Sequence, residues 1–160
     1  MIHIITTGGT IGGLDNDQKQ NPRKISTNSL QAANVSFSFA IEEAFRKDSR
    51  SITPKDRDYL VERIQSSKAQ KVLITHGTFT MEETAKHLGK LNLNKTIVLV
   101  GSFILGASKN SDAPFNLGYA ICALQFLKPG VYVAMNGDIF HWNNVRKNLK
   151  TNRFERKDEK

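Results

Sequence analysis

Residues 71–100 read KVLITHGTFTMEETAKHLGKLNLNKTIVLV, and this stretch sets the fold class. It begins with the short apolar run 71–75 and ends with the most strand-like run of the chain, residues 96–100. Between the two runs, residues 80–91 have the length and composition of a helix. Two buried strands joined by one helix are typical of a parallel βαβ unit.

The same alternation continues on both sides of this unit. Further extended runs are predicted at residues 2–7, 37–46 and 130–135. Further helices are predicted at residues 54–66 and 114–127. Right-handed crossovers between such strands place helices on both faces of one sheet. We therefore predict a single α/β domain with a doubly wound, mostly parallel sheet over residues 1–150, followed by a charged C-terminal tail at 151–160.

Composition excludes several classes of protein. No apolar run approaches the roughly 20 residues that span a bilayer, so no membrane association is expected. The first residues have neither the basic stretch nor the long apolar segment of a secretory signal. Cys122 is the only cysteine, which fits a reducing compartment, and we expect a cytoplasmic protein.

The net charge of +8 is concentrated near the C-terminus, where residues 143–160 hold seven Lys or Arg against three acidic residues. A basic balance can indicate a nucleic-acid partner. No aromatic-rich RNA-binding signature or helix-turn-helix pattern accompanies it. A solvated basic tail is the favoured interpretation, a nucleic-acid partner is not expected, and other anionic partners remain open.

Ligands of open α/β sheets bind beyond the carboxyl ends of the strands. The predicted strands are followed there by four turns, which lie at residues 8–10, 75–78, 101–102 and 136–138. Two of them place glycine next to a threonine, Gly9 beside Thr10 and Gly77 beside Thr78. Backbone N–H groups and a hydroxyl at one sheet edge are what acyl transfer requires.

Each motif also has a structural interpretation. The glycine turn at residues 8–9 could be a plain turn or a phosphate cradle, although it lacks the lysine of a P-loop and dinucleotide-binding spacing. Glu82 and Glu83 suit a helix N-terminus electrostatically. His76 could be an acid/base group, but a histidine at a strand end is more often packed and hydrogen-bonded.

Taken together, the motifs resemble the signature pair of the bacterial-type asparaginase family, TGGTI and THGTDTMEET. Here they read TGGTI at Thr7–Ile11 and THGTFTMEET at Thr75–Thr84. Three more stretches are similar to family motifs in the same order. They are DSRSITPKD at 48–56, SDAPFNL at 111–117, and the pair MN at 135–136 with VRK at 145–147. Five ordered matches cover essentially the whole chain.

The resemblance implies roles for particular residues. Thr10 would be the nucleophile that attacks a side-chain amide, releases ammonia and forms an acyl-enzyme. Thr78 would position or activate water, and Lys147 beside it would ease removal of its proton. Ser49 would bind the substrate α-carboxylate. The remaining substrate-binding residues would be Gly9, Arg50, Gly77, Phe79 and Ser102.

The resemblance also implies hydrolysis of L-asparagine, or a similar small amide, to L-aspartate and ammonia. Neither a cofactor nor a metal would be needed, and the sequence offers no cluster with metal-ligand spacing. A homodimer or higher homo-oligomer is expected to enclose the site, because the site lies at a sheet edge with no covering domain and must exclude water.

Phe79 departs from the family pattern, since the family has an aspartate there. That carboxylate holds the substrate ammonium and completes a Thr-Lys-Asp group. Either another carboxylate replaces it, with Asp112 and Asp138 as candidates, or the substrate has no free α-ammonium. The alternative function is a catalytically weak or inactive homologue that binds an amino acid or amide.

Two further departures concern the loop and the carboxylate anchor. Residues 12–27 contain no tyrosine, whereas the family's mobile loop brings one toward the nucleophile. Arg50 stands where the cytoplasmic branch tends to have a small or amide residue. An arginine there could anchor a carboxylate through two parallel hydrogen bonds, or could be an exposed surface residue.

Overall fold

The structure is a computed structural model that describes residues 1–12 and 30–158. Its strands are β1 (Ile2–Gly8), β2 (Phe39–Lys47), β3 (Lys71–Thr75), β4 (Thr96–Val100), β5 (Gly130–Met135), β6 (Asp138–His141), β7 (Arg146–Asn148) and β8 (Arg153–Glu155). Its long helices are α1 (Pro54–Ser66), α2 (Met81–Gly89) and α3 (Ala113–Phe126). Each predicted strand and helix has a counterpart, with bounds within about three residues of those expected.

The main sheet has six strands in the order β2-β1-β3-β4-β5-β6. Its first five strands are parallel, and β6 pairs with β5 in the antiparallel direction. The predicted mostly parallel α/β sheet is therefore confirmed. The antiparallel β6 was not predicted, because its four residues follow β5 through a tight turn with no helix between them.

Alternate residues of the strands point to opposite faces of the sheet, and each face is buried. Val72 and Ile74 contribute to a core shared with α1 and α2. Leu73 and Val98, which pair in register, contribute to a second core shared with α3. Strands buried on both faces need helices on both sides, so the doubly wound arrangement is confirmed.

Helix α1 shows how the local sequence fixes an element. Thr53 is its N-cap, and its hydroxyl accepts a hydrogen bond from the backbone N–H of Asp56. The Asp56 carboxylate in turn accepts from the backbone N–H of Thr53, which completes a capping box. Pro54 occupies the first turn, where its missing N–H costs nothing.

The C-terminal segment contains two short strands and one buried side chain among its exposed charged residues. Strands β7 and β8 pair with each other in a small antiparallel sheet. Phe154 in β8 is only 7% exposed, and its ring lies 6.2 Å from that of Phe103 and 6.5 Å from that of Phe140. Arg156 donates to both carboxylate oxygens of Asp138. One large apolar side chain thus anchors the segment, while most of its other residues, such as Arg153 and Lys157, are exposed. The domain boundary at residue 150 remains a prediction.

Among the helices of residues 1–12 and 30–158, none is both long and apolar enough to cross a membrane.

We predict that Phe154→Ala lowers the free energy of unfolding by about 3 kcal/mol, since it leaves a cavity beside the rings of Phe103 and Phe140. Leu149→Ala is the matched control, because the Leu149 side chain is 75% exposed, and it should change stability by less than about 0.5 kcal/mol. Chemical denaturation of both variants measures the difference. Equal losses in the two variants would contradict the burial of Phe154.

Candidate active site

The site lies where the strand order changes direction. From β1 the chain crosses to β2 on one side, and it then returns past β1 to place β3 on the other. The carboxyl ends of β1 and β3 are therefore adjacent, with Thr6 opposite Thr75 in the register. A crevice at such a reversal is the usual ligand site of an open α/β sheet.

A pocket of about 50 Å³ occupies this position. It is lined by Gly9, Thr10, Asp48, Ser49, Gly77, Thr78 and Phe79. Six of these seven residues were singled out from the sequence. Asp48 was not, although it immediately precedes Ser49 in a stretch that the sequence had already marked.

Two glycines allow the strand ends to pack backbone against backbone. Gly9 has a φ of +74°, and a Cβ built on it would lie 2.5 Å from the nitrogen of Gly77. A Cβ on Gly77 would lie 2.7 Å from Oγ of Ser49. No side chain fits at either place, so three separate loops meet at a distance that only glycine permits.

Thr10 begins a 3₁₀ turn, Thr10–Gly12, directly after this contact. The buried Ile11 anchors the turn in the core, and the Thr10 carbonyl accepts a hydrogen bond of 3.1 Å from the N–H of Gly106. Thr10 itself is half-buried and lines the pocket. The threonine proposed as nucleophile is thus held by its backbone while its side chain stands at the pocket. The loop at residues 12–27, which contains no tyrosine, lies outside the described residues except for Gly12.

Thr78 is hydrogen-bonded to a lysine from a distant part of the chain. Nζ of Lys147, in β7, lies 2.9 Å from Oγ1 of Thr78. The backbone N–H of Lys147 donates to the carboxylate of Glu82, which fixes β7 against the start of α2. Desolvation lowers the pKa of Lys147, and this increases the fraction of neutral amine that could accept the Thr78 proton.

Phe79 lines the pocket and presents its ring to two cations. Its ring centroid lies 4.1 Å from Nζ of Lys147 and 4.7 Å from Cζ of Arg50. The backbone N–H of Phe79 donates to Oγ of Ser49, which holds the residue at the pocket wall. The lysine therefore has an aromatic neighbour where the sequence pattern leads one to expect a carboxylate.

The two carboxylates expected to replace the aspartate missing at position 79 form hydrogen bonds with other groups. Asp112 accepts hydrogen bonds from the N–H groups of Phe103 and Ile104 and from the amide of Asn116. Asp138 is paired with Arg156. Neither lines the pocket, so the expectation that one of them takes the place of the missing aspartate is wrong.

Arg50 is bound to a neighbouring carboxylate. Its Nε and one Nη nitrogen donate to the two oxygens of Asp48, at 2.9 Å each. This hydrogen bonding holds the pKa of Asp48 below its usual range. Ser102, in contrast, lies outside the pocket lining, and its buried hydroxyl donates to the carbonyl of Ile104. A substrate contact for Ser102 stays a prediction.

His76 is fully buried and belongs to a chain of hydrogen bonds beneath the pocket. Nε of Arg57 donates to the Thr84 hydroxyl, and that hydroxyl lies 2.9 Å from Nε2 of His76. Nδ1 of His76 lies 2.7 Å from the carbonyl of Gly77. Because the Gly77 carbonyl can only accept, Nδ1 of His76 carries the proton. Nε2 of the neutral ring is then an acceptor, and the Thr84 hydroxyl donates to it while accepting from Arg57. His76 is therefore the packed, hydrogen-bonded residue of the structural interpretation.

The hydrogen bonds that link Arg57, Thr84, His76 and Gly77 could not be predicted from the sequence. Thr84 lies one helical turn beyond the glycine loop, and Arg57 reaches it from α1. The only available signal was a threonine and a histidine eight residues apart across a predicted strand end and helix.

Within the described residues, no group of three His, Cys, Asp or Glu side chains could hold a metal ion.

Comparison with known proteins agrees with this geometry. The family model described as "Asparaginase, N-terminal" matches residues 1–156. The chain belongs to the asparaginase family. The glutaminase-asparaginase of Acinetobacter glutaminasificans is 34% identical over 174 aligned positions, which cover 94% of this chain and 51% of that protein. The L-asparaginase 2 of Escherichia coli K12 is 32% identical, over 91% of this chain and 46% of that protein.

The family likeness extends to solved structures. The thermostable L-asparaginase from Thermococcus kodakarensis superposes with a TM-score of 0.85 at 27% identity, covering 97% of this chain and 50% of that one. The asparaginase chain described here thus spans about half the length of the relatives that it matches.

Burial lowers the pKa of His76 to about 4, and the positive charge of Arg57 contributes to the shift. The unfolded chain, with an ordinary pKa near 6.5, therefore binds more protons than the folded protein between pH 6.5 and 4. We predict that stability falls as the pH decreases through this window, by about 3 kcal/mol in total.

In His76→Asn, whose amide can still donate to Gly77, this loss between pH 6.5 and 4 should largely disappear. Urea unfolding at a series of pH values measures the slope. His141→Asn, at an exposed position, is the control and should keep the wild-type slope. A wild-type slope in His76→Asn would show that His76 is not the responsible group.

Proposed function

We propose that the chain hydrolyses L-asparagine or a similar small linear amide through a threonine nucleophile. The observation that carries the proposal is the 2.9 Å contact between Nζ of Lys147 and Oγ1 of Thr78 in the pocket that Thr10 lines. A hydroxyl hydrogen-bonded to a partly desolvated amine is the arrangement that activates a weak nucleophile or a water molecule. Membership of the asparaginase family supports the same chemistry.

The proposed reaction has two halves. In the first, Oγ1 of Thr10 attacks the amide carbon, its proton passes to the leaving nitrogen, and ammonia departs from a threonine ester. In the second, water adds to the ester, its proton moves through Thr78 and Lys147, and the carboxylic acid leaves with Thr10 restored. Backbone N–H groups of the two glycine loops would stabilise the oxyanion, each contributing about 3 kcal/mol.

Ser49 is the proposed anchor for a substrate carboxylate. It is buried at the pocket wall, and its hydroxyl oxygen already accepts from the N–H of Phe79. An acceptor of one hydrogen bond still has its own proton to donate. The positive charge of Arg50 lies beside it, and both support binding of an anionic group.

Thr10→Ala should reduce ammonia release from small amides by at least about a thousandfold, because the attacking oxygen is gone. Thr10→Ser is the matched control, since it keeps the hydroxyl and should retain measurable turnover. Both variants should unfold at temperatures close to wild type, as Thr10 is held by its backbone. Undiminished ammonia release from folded Thr10→Ala would refute the nucleophile.

Phe79 favours one competing function, binding without turnover. Its ring occupies the place of a carboxylate that would bind substrate and support Lys147. In that case a ligand would raise the melting temperature, as any ligand of the native state does, with no ammonia released. Turnover that depends on Thr10 decides against this competitor.

We further propose a cytoplasmic homo-oligomer. Helix α3 contains no charged residue, and its exposed side chains include Phe115 and Phe126. Such an uncharged face on a chain of net charge +8 is suited to contact a second copy. Light scattering should give at least twice the chain mass of 17.9 kDa, and a single-chain mass at working concentration would count against it. Cell fractionation tests the location.

A further inference from the structure

The charge around the pocket points to a substrate class. Two cations, Arg50 and Lys147, lie within 5 Å of the Phe79 ring centroid at the pocket wall. One carboxylate, Asp48, lines the same pocket. Around the Phe79 ring, two positive charges therefore stand against the one negative charge of Asp48, which favours anionic ligands and disfavours cationic ones.

The Asp48 carboxylate is poorly placed to hold a ligand ammonium. Both of its oxygens accept hydrogen bonds from the Arg50 guanidinium, and one also accepts from the backbone N–H of Arg50. The other carboxylate near Lys147, that of Glu82, accepts from the Lys147 backbone N–H. Glu82 does not line the pocket, so among the described carboxylates a ligand ammonium could use only the acceptor capacity left on Oδ2 of Asp48, whose charge Arg50 already offsets.

The Phe79 ring face does not offer an alternative. A ring face attracts a cation, but here Lys147 and Arg50 are already at cation–π distance from it. A third positive charge would be repelled by both. The same ring and cations suit an aliphatic chain that ends in a carboxylate, because the ring packs against methylene groups and the cations attract the anion.

Arg50 has capacity for that carboxylate. Asp48 uses Nε and Nη2, while the two N–H groups of Nη1 have no hydrogen-bond partner among the described residues. Ser49, the proposed carboxylate anchor, is its neighbour in the same 3₁₀ turn. One short segment thus carries a hydroxyl that lines the pocket and, on the next residue, a guanidinium within 5 Å of the Phe79 ring at the pocket wall.

We propose that the preferred substrates are small ω-amides that carry a carboxylate but no free α-ammonium group. The simplest member of this class is succinamate, which is L-asparagine without its amino group. The inference rests on the proposed hydrolysis through Thr10. The amide carbon forms an ester with Thr10 and loses ammonia, water then cleaves the ester, and succinate is the product.

The first experiment compares kcat/KM for ammonia release from succinamate and from L-asparagine. Wild type should prefer succinamate by at least about tenfold, because the ammonium of the amino acid approaches Lys147 and Arg50 and finds, among the described residues, only a carboxylate that Arg50 already neutralises. Phe79→Asp should shift the preference toward L-asparagine by a similar factor. Phe79→Leu is the control, since it removes the ring without adding a charge, and should keep the preference for succinamate. A wild-type preference for L-asparagine, or no preference, would overturn the substrate class.

A binding measurement separates this inference from the proposed function. Succinate and L-aspartate, the two products, are added at equal concentration and ionic strength, and the shift in melting temperature is recorded. Succinate should give the larger shift in wild type and in Thr10→Ala. A larger shift with succinate but no turnover of either amide would uphold the ligand class and overturn the hydrolase. Turnover that depends on Thr10, together with tighter binding of L-aspartate than of succinate, would uphold the hydrolase and overturn the ligand class. A folded protein that neither binds nor hydrolyses any of them would overturn both.

Discussion

The site depends on the contact between the backbones of Gly9 and Gly77. A Cβ on Gly9 would lie 2.5 Å from the Gly77 nitrogen, so the ends of β1 and β3 meet with no side chain between them. Each glycine is followed by a threonine, and both threonines therefore reach one small pocket. Ser49 packs against Gly77 from a third loop and completes the wall. Replacement of either glycine would separate the two hydroxyl groups before it disturbed the sheet.

The central architecture could be predicted from sequence because its strands are short, apolar and buried on both faces. The runs 71–75 and 130–135 match β3 and β5 residue for residue. The C-terminal strands could not be predicted in the same way. They are three or four residues long and rich in charge, and their position depends on Phe154 packing against residues far away in the sequence. A single apolar residue in a charged run gives no periodicity to detect.

In the site, too, some features could be predicted from the sequence and others could not. That residues 9–10 and 77–78 converge follows from parallel strands, whose carboxyl ends share an edge. What each side chain does there depends on contacts across elements. Arg50 forms two hydrogen bonds with Asp48, and the Phe79 ring lies beside Lys147. Both contacts depend on side-chain positions that cannot be read from the spacing of residues in the sequence. Phe79 also affects the charge environment of Lys147. Desolvation lowers the Lys147 pKa, and within the described residues no ion pair with a carboxylate opposes that change.

The hydrogen bonds beneath the pocket run in one direction only. Arg57 donates to Thr84, Thr84 to His76, and His76 to the carbonyl of Gly77. Since the carbonyl at the end of this series can only accept and the guanidinium at its start can only donate, the hydrogens have a single arrangement while His76 is neutral. Groups with two equivalent arrangements can act as switches or carry protons across a protein, whereas this one can do neither. The Gly77 carbonyl is consequently held by a donor that cannot exchange roles with it while His76 is neutral, which ties the glycine loop to the buried residues beneath the pocket.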